Sequence, residues 1–172
     1  MVDLVEKALE FANNAHYGQY RKYSGESYIV HPIEVMEIVK EYIDDPAVHA
    51  AALLHDVVED CDVTMSEIGF HFGPRISSMV GDLTDVSKPI NGNRAARKEI
   101  DRQHSAKASP DSQSIKLADL ISNAKSIIKE DPNFAKVFMR EKSLLLEVLT
   151  EGNIDLYNRA ADMVASYYSN HP

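Results

Sequence analysis

The stretch that decides the reading is AALLHDVVED, residues 51–60. Its apolar residues at 51–54 and at Val57 and Val58 continue a helical pattern that begins at Pro46. His55 and Asp56 interrupt that pattern, and Glu59 and Asp60 end it. An imidazole beside a carboxylate makes a poor core, because a buried charge is costly unless it is paired. The same two groups make good ligands for a divalent cation. In a continuous helix over 46–59, Glu59 falls four residues after His55, and Asp60 four after Asp56. Residues i and i+4 share a helix face. The plain explanation is an ion pair at a helix C-terminus followed by a solvated end. Four ionisable groups on one turn are better explained by a cation or a reaction that needs them.

Working outward, two further segments offer ligands. His31 precedes Pro32 at the start of a helix, after a polar loop. Asp119 lies within IKLADLISN, where Leu117, Ala118, Leu120 and Ile121 flank it and imply at least partial burial. Alone, His31 reads as a helix-start residue and Asp119 as a buried cap; together with His55 and Asp56 they form a set that coincidence explains badly. Two imidazoles and two carboxylates make a mixed nitrogen and oxygen shell that suits Mn²⁺, Fe²⁺ or Zn²⁺ better than Ca²⁺. Such a shell leaves positions open for water and substrate. Glu59 and Asp60 need not both bind the cation, so one can orient or deprotonate an attacking water. Asn123, four residues after Asp119, supplies a neutral amide for a sugar hydroxyl or a phosphate oxygen.

The rest of the chain predicts an all-α fold. Helical spacing runs over 3–16; residues 17–30, rich in Gly, Ser, Tyr and basic side chains, read as a loop; a helix follows from Pro32 to about Tyr42. Thr64 with Glu67 resembles a capping box, and Gly73-Pro74 punctuates before a helix to Leu83. A loop over 84–92, a charged helix over 93–107, and helices over 111–130, 132–150 and 154–169 complete the expectation. The final helix carries Leu156, Tyr157, Met163, Tyr167 and Tyr168, and either caps the core or forms an interface in a homo-oligomer. No repeat or linker divides the chain, so one domain over 1–172 is expected.

Composition limits the function classes. The 172 residues are 44% hydrophobic and 26% charged, as in an ordinary globular protein. The formal charge of −9 argues against wholesale binding to nucleic acid, which rests on Lys and Arg neutralising phosphates. Cys61 is the single cysteine, so no intrachain disulfide forms. The acidic start MVDLVEKALE is unlike a signal peptide, and no apolar run approaches the roughly 20 residues of a membrane helix. A cytoplasmic protein that meets no membrane is expected.

The motifs resemble a known family. AxxAHxGQxRKxSGExYxxHP occurs as Ala12 to Pro32, AALLHDVVED as 51–60, and KLADxxxN as 116–123. In that order they resemble the HD metal-dependent phosphohydrolases, and within them the hydrolase domain of the Rel/SpoT stringent-response enzymes, here as a stand-alone small alarmone hydrolase. The resemblance covers about 4–150 and implies a multi-helix HD bundle with a central metal site. It implies a Mn²⁺-dependent enzyme, with one ion per chain, that removes the 3′-pyrophosphate of a purine nucleotide such as (p)ppGpp. His31, His55, Asp56 and Asp119 would hold the Mn²⁺, and Glu59 and Asp60 would position and activate water. Arg21, Lys22, Ser24 and Tyr28 lie in the loop that cradles the purine, and Asn123 would face the ribose. Leu120, Ser27 and Tyr23 depart from the family pattern near the base and phosphate ends of the pocket. Adenine alarmones such as (p)ppApp therefore stand beside (p)ppGpp.

Segment 88–107 carries a net charge of +4 in this acidic chain. Arg94, Arg97 and Lys98 share a helix face there, which either grips the 5′-diphosphate or is a solvated charged surface. Two alternatives stand beside the leading reading. One is another HD phosphohydrolase, acting on a nucleotide 5′-phosphate or the 2′-phosphate of NADPH. The other is a non-catalytic nucleotide-binding domain, against which the intact ligand and carboxylate set argues.

Overall fold

Asp3 opens the first helix: its carboxylate accepts a hydrogen bond from the Val5 amide at 3.0 Å, satisfying a donor that the first turn leaves unpaired. The computed structural model describes residues 3–172. All regular structure among them is helical, apart from one isolated antiparallel bridge between Tyr20 and Ser27. No described helix is long and apolar enough to cross a membrane. The chain divides into two compact units, one ending at Thr84 and one covering Asp85–Pro172.

The first unit holds α1 (Leu4–Ala15), α2 (Val30–Lys40), α3 (Pro46–Leu54), α4 (Val57–Asp60) and α5 (Met65–Leu83). Helix α3 is its centre: residues 48–54 are all buried, and α1, α2 and α5 pack against it. Three consecutive alanines, Ala50, Ala51 and Ala52, leave room for helices on more than one side. Pro46 begins α3 after Asp45, whose carboxylate accepts from the Ala47 amide at 2.9 Å. The expected capping box is present: Thr64 Oγ1 accepts from the Glu67 amide, and Glu67 Oε2 from the Thr64 amide. Helix α5 bends where Gly73 takes φ +82° ahead of Pro74, a backbone conformation that glycine tolerates best.

The second unit holds a short 3₁₀ turn (Pro89–Asn91), α6 (Arg94–Ser105), α7 (Pro110–Glu130), α8 (Pro132–Leu146) and α9 (Ile154–Asn170). Helix α7 is its spine, with Ile115, Leu117, Ala118, Leu120, Ile121 and Ala124 buried beneath α8 and α9. Helix α8 stops at Leu146 rather than near Thr150, because the following segment bonds to α7 instead of to itself. The Glu151 amide donates to Gln113 Oε1 at 2.9 Å, and the Asn153 amide to Ser114 Oγ at 2.8 Å. Gly152 lies so close to α7 that a Cβ would meet Leu117 Cδ1 at 2.9 Å. Helix α9 buries Leu156 and Tyr167, half-buries Tyr157 and Met163, and leaves Tyr168 exposed, so it caps this unit's core.

Asp101 on α6 fixes the chain that enters this unit. It is 6% exposed and accepts from the amides of Val86 and Ser87 and from Ser87 Oγ, at 3.0, 2.8 and 2.7 Å. Replacing Asp101 by Ala strands two amides, and urea denaturation should show a loss of about 1–3 kcal/mol. Unchanged stability would mean that solvent satisfies them equally well.

Candidate metal centre

The helix expected over 46–59 is broken at the residues that made the stretch informative. Helix α3 ends at Leu54, Asp56 has φ −100° and ψ −7°, and α4 restarts at Val57. The apolar pattern runs on through Val57 and Val58, so periodicity alone reads one helix. The break has a local cause. His55 Nδ1 donates to the Ala52 carbonyl at 2.7 Å, using the side chain to satisfy an acceptor at the helix end. A carbonyl can only accept, so Nδ1 carries a proton, and in the neutral ring the lone pair of Nε2 is available to a ligand.

That lone pair faces two other ligand groups. His55 Nε2 is buried and lies 3.1 Å from Asp56 Oδ2. His31 Nε2 lies 3.6 Å from the same oxygen. One ligand atom from each of His31, His55 and Asp56 falls within 4.8 Å of the others. The imidazoles are 1% and 4% exposed, while the carboxylate is half-buried. Two buried imidazoles beside one carboxylate can hold a divalent metal ion. His31 enters through the first turn of α2, where its amide donates to the Tyr28 carbonyl at 3.0 Å.

Tyr28 links this group to the carboxylates beyond it. Its hydroxyl lies 2.7 Å from Asp56 Oδ2 and 3.3 Å from Asp60 Oδ2. The Asp56–Asp60 spacing thus survives the break, since the Asp60 amide still donates to the Asp56 carbonyl at 2.9 Å. Partial burial and then the nearby Asp56 charge push the Asp60 carboxyl above the usual aspartate range, against the Tyr28 hydrogen bond. Glu59 is exposed on the same short helix.

Neighbours unmarked by the residue reading support Asp60. The buried His16 ring lies tilted against Tyr28, 4.7 Å between centres, and its Nδ1 lies 2.8 Å from Gln19 Oε1. Gln19 Nε2 donates to the Asp60 carbonyl at 2.9 Å. Cys61 Sγ is 3.2 Å from His16 Nδ1, and burial, with the Asp60 and Asp56 charges, pushes its thiol up. His16 and Gln19 both belong to the motif that runs from Ala12 to Pro32. Arg21, Lys22 and Ser24 lie in the same loop, Arg21 half-buried and the other two exposed. The Lys22 ammonium lies 4.8 Å from the centre of the Tyr23 ring.

The remaining expected residues belong to the second unit. Asp119 is half-buried on α7, as its apolar neighbours implied, and its Oδ1 accepts from Asn123 Nδ2 at 2.7 Å. The Asn123 amide thus steadies a carboxylate. Arg94, Arg97 and Lys98 do not act as one open cationic face. Arg94 makes a two-pronged ion pair with Glu141 at 2.6 and 2.9 Å, and Lys98 pairs with Asp85 at 3.1 Å. Arg97 is half-buried, and its Nε makes no hydrogen bond among the described residues.

The chain belongs to the HD domain family, which it matches over residues 8–144. Among individual relatives, it is 36% identical over 129 residues to the Homo sapiens guanosine-3′,5′-bis(diphosphate) 3′-pyrophosphohydrolase MESH1, covering 73% of this chain and 70% of that protein. It is 40% identical over 87 residues to a Vibrio cholerae protein named guanosine-3′,5′-bis(diphosphate) 3′-pyrophosphohydrolase, over 51% of this chain but only 12% of that longer one. A solved structure described as a metazoan ortholog of SpoT that hydrolyzes ppGpp superposes with TM-score 0.85 at 27% identity, covering 97% of both chains. A Listeria monocytogenes protein shares the fold at TM-score 0.69 and 20% identity, over 86% of this chain and 99% of that one.

A divalent cation held at His31, His55 and Asp56 would bind the folded state and stabilise it by mass action, by about 2.7 kcal/mol at a hundred times its dissociation constant. Thermal unfolding of the wild type should therefore shift upward with added Mn²⁺ or Zn²⁺, and His55→Ala should remove the shift. An equal shift in His55→Ala would place the cation elsewhere.

Proposed function

We propose that this chain hydrolyses the 3′-pyrophosphate of alarmone nucleotides, (p)ppGpp or (p)ppApp, releasing pyrophosphate and GDP/GTP or ADP/ATP. The observation that carries the reading is the convergence of His31, His55 and Asp56 on one small volume, with Asp60 joined to Asp56 through Tyr28. The similarity to MESH1 and to the metazoan SpoT ortholog supplies the substrate class.

In this reading His31, His55, Asp56 and Asp119 hold one Mn²⁺. Bound there, the cation would supply Lewis acidity and offset the charge of the reacting phosphates. The chain's own groups do the rest. Asp60, with its carboxyl pushed up by burial and by Asp56, is a better proton acceptor near neutral pH than an ordinary aspartate, and so is suited to take a proton from water. Tyr28 holds Asp60 and Asp56 by one hydroxyl, so its role shifts from cradling the base to positioning carboxylates. Glu59, exposed beside them, orients the attacking water. Arg21, Lys22 and Ser24 receive the purine, Arg97 meets a phosphate, and Asn123 steadies Asp119 at the ribose side.

Two experiments test the reading. Wild-type protein supplied with Mn²⁺ should release pyrophosphate from ppGpp or ppApp, read by anion-exchange chromatography, with the kcat/KM ratio naming the base. Orthophosphate alone, from these or from NADPH, would instead favour the phosphomonoesterase reading. The nearly isosteric Glu59→Gln should keep metal affinity but lose roughly 10²–10⁴ in kcat if it acts on the water. Full kcat in Glu59→Gln would remove it from that role.

A further inference from the structure

Helix α4 is a single turn, Val57–Asp60, yet it carries both Glu59 and Asp60. A helix this short does not hold itself. Backbone bonds from the Asp60 amide to the Asp56 carbonyl, at 2.9 Å, and from the Cys61 amide to the Val57 carbonyl, at 3.2 Å, close it. The Asp60 carbonyl has no partner within the helix, and at Cys61 the chain turns extended, with φ −127° and ψ 168°. Where Asp60 points therefore depends on what grips this turn from outside.

Gln19 grips it. Its Nε2 donates to the Asp60 carbonyl at 2.9 Å. A carbonyl only accepts, so the amide nitrogen faces Asp60 and Oε1 faces away from it. There Oε1 accepts from His16 Nδ1 at 2.8 Å. His16 is 1% exposed, and its own amide donates to the Ala12 carbonyl at the end of α1, so the donor that orients Gln19 is anchored to a helix. Cys61 Sγ lies beside both, 3.2 Å from His16 Nδ1 and 3.7 Å from Gln19 Nε2.

The backbone of Gln19 acts on Tyr28. Its carbonyl accepts from the Tyr28 amide at 2.9 Å, next to the bridge between Tyr20 and Ser27, so residues 19 and 28 face each other at the base of a hairpin. The Tyr28 hydroxyl in turn lies 3.3 Å from Asp60 Oδ2. One residue thus holds both partners of that contact, the tyrosine through its backbone and the aspartate through its side chain. The His16 ring, tilted against Tyr28, reaches the same pair from the other direction.

We propose that Gln19 is a positioning residue for Asp60, and that His16 acts through Gln19 by orienting its amide. The effect on turnover rests on the proposed function; the tie between Gln19 and α4 does not. Reactions catalysed by a placed carboxylate are sensitive to displacements well below the length of a hydrogen bond, so loosening α4 should slow the chemical step without removing the cation or the substrate.

Hydrogen exchange over residues 57–61 of the full chain, read by mass spectrometry, tests the tie, and kinetics of the Mn²⁺-loaded enzyme tests its consequence. Gln19→Leu keeps the bulk, removes both ends of the amide, and should speed exchange of the Asp60 and Cys61 amides roughly threefold or more. In the folded variant kcat for ppGpp should fall roughly ten- to a hundredfold, while KM and the Mn²⁺-induced rise in unfolding temperature stay near wild type. His16→Asn keeps a donor near the place of Nδ1 and should retain most of kcat; His16→Phe keeps a ring against Tyr28 without the donor and should not. If Gln19→Leu does not fold, the two His16 variants give the same comparison. Wild-type exchange over 57–61 in the folded Gln19→Leu and His16→Phe variants, or wild-type kcat alongside faster exchange, overturns the positioning role. Faster exchange in these variants of a protein that cleaves neither ppGpp nor ppApp would leave the tie standing and sink the substrate reading.

Discussion

One hydrogen bond, from His55 Nδ1 to the carbonyl of Ala52, organises the candidate metal centre. It ends α3 one turn before the apolar pattern ends. It sets the tautomer of His55, and it turns Nε2 toward His31 and Asp56. A ring pinned through one nitrogen offers the other at low entropic cost, which is why ligating histidines so often carry such a bond. The buried alanine and leucine body of α3 is the rigid support that keeps this ring in place. Tyr28 then carries the order outward, joining Asp56 to Asp60 and packing against His16.

The two units differ in their electrostatics. The first gathers carboxylates around two imidazoles, an arrangement that invites a cation. In the second, Lys98 and Lys116 place their ammonium groups 3.1 and 3.7 Å from the Asp85 carboxylate. The high negative charge of the chain therefore says little about its ligand; the local distribution of lysines says more.

Much of this architecture was legible in the residues because its signals are local. Pro46, Pro110 and Pro132 mark helix starts, Thr64 with Glu67 marks a cap, and Gly73-Pro74 marks the bend. His31, His55 and Asp56 were legible as a set because polar groups inside apolar patterns need a reason. The break at Asp56 was not legible, since Val57 and Val58 preserve the helical period and the cause is a bond from a side chain to the backbone. Nor were the partners of Arg94 and Lys98, because Glu141 and Asp85 are distant in sequence.

The central claim is that the bond between His55 and Ala52 prepares a metal ligand. Anomalous diffraction at the manganese edge, on crystals grown with Mn²⁺, tests it directly. The account predicts a peak at roughly 2.0–2.2 Å from Nε2 of both His31 and His55 and from a carboxylate oxygen of Asp56, with His55 Nδ1 still bonded to Ala52. A peak bound elsewhere, or a His55 ring turned to offer Nδ1, would contradict it.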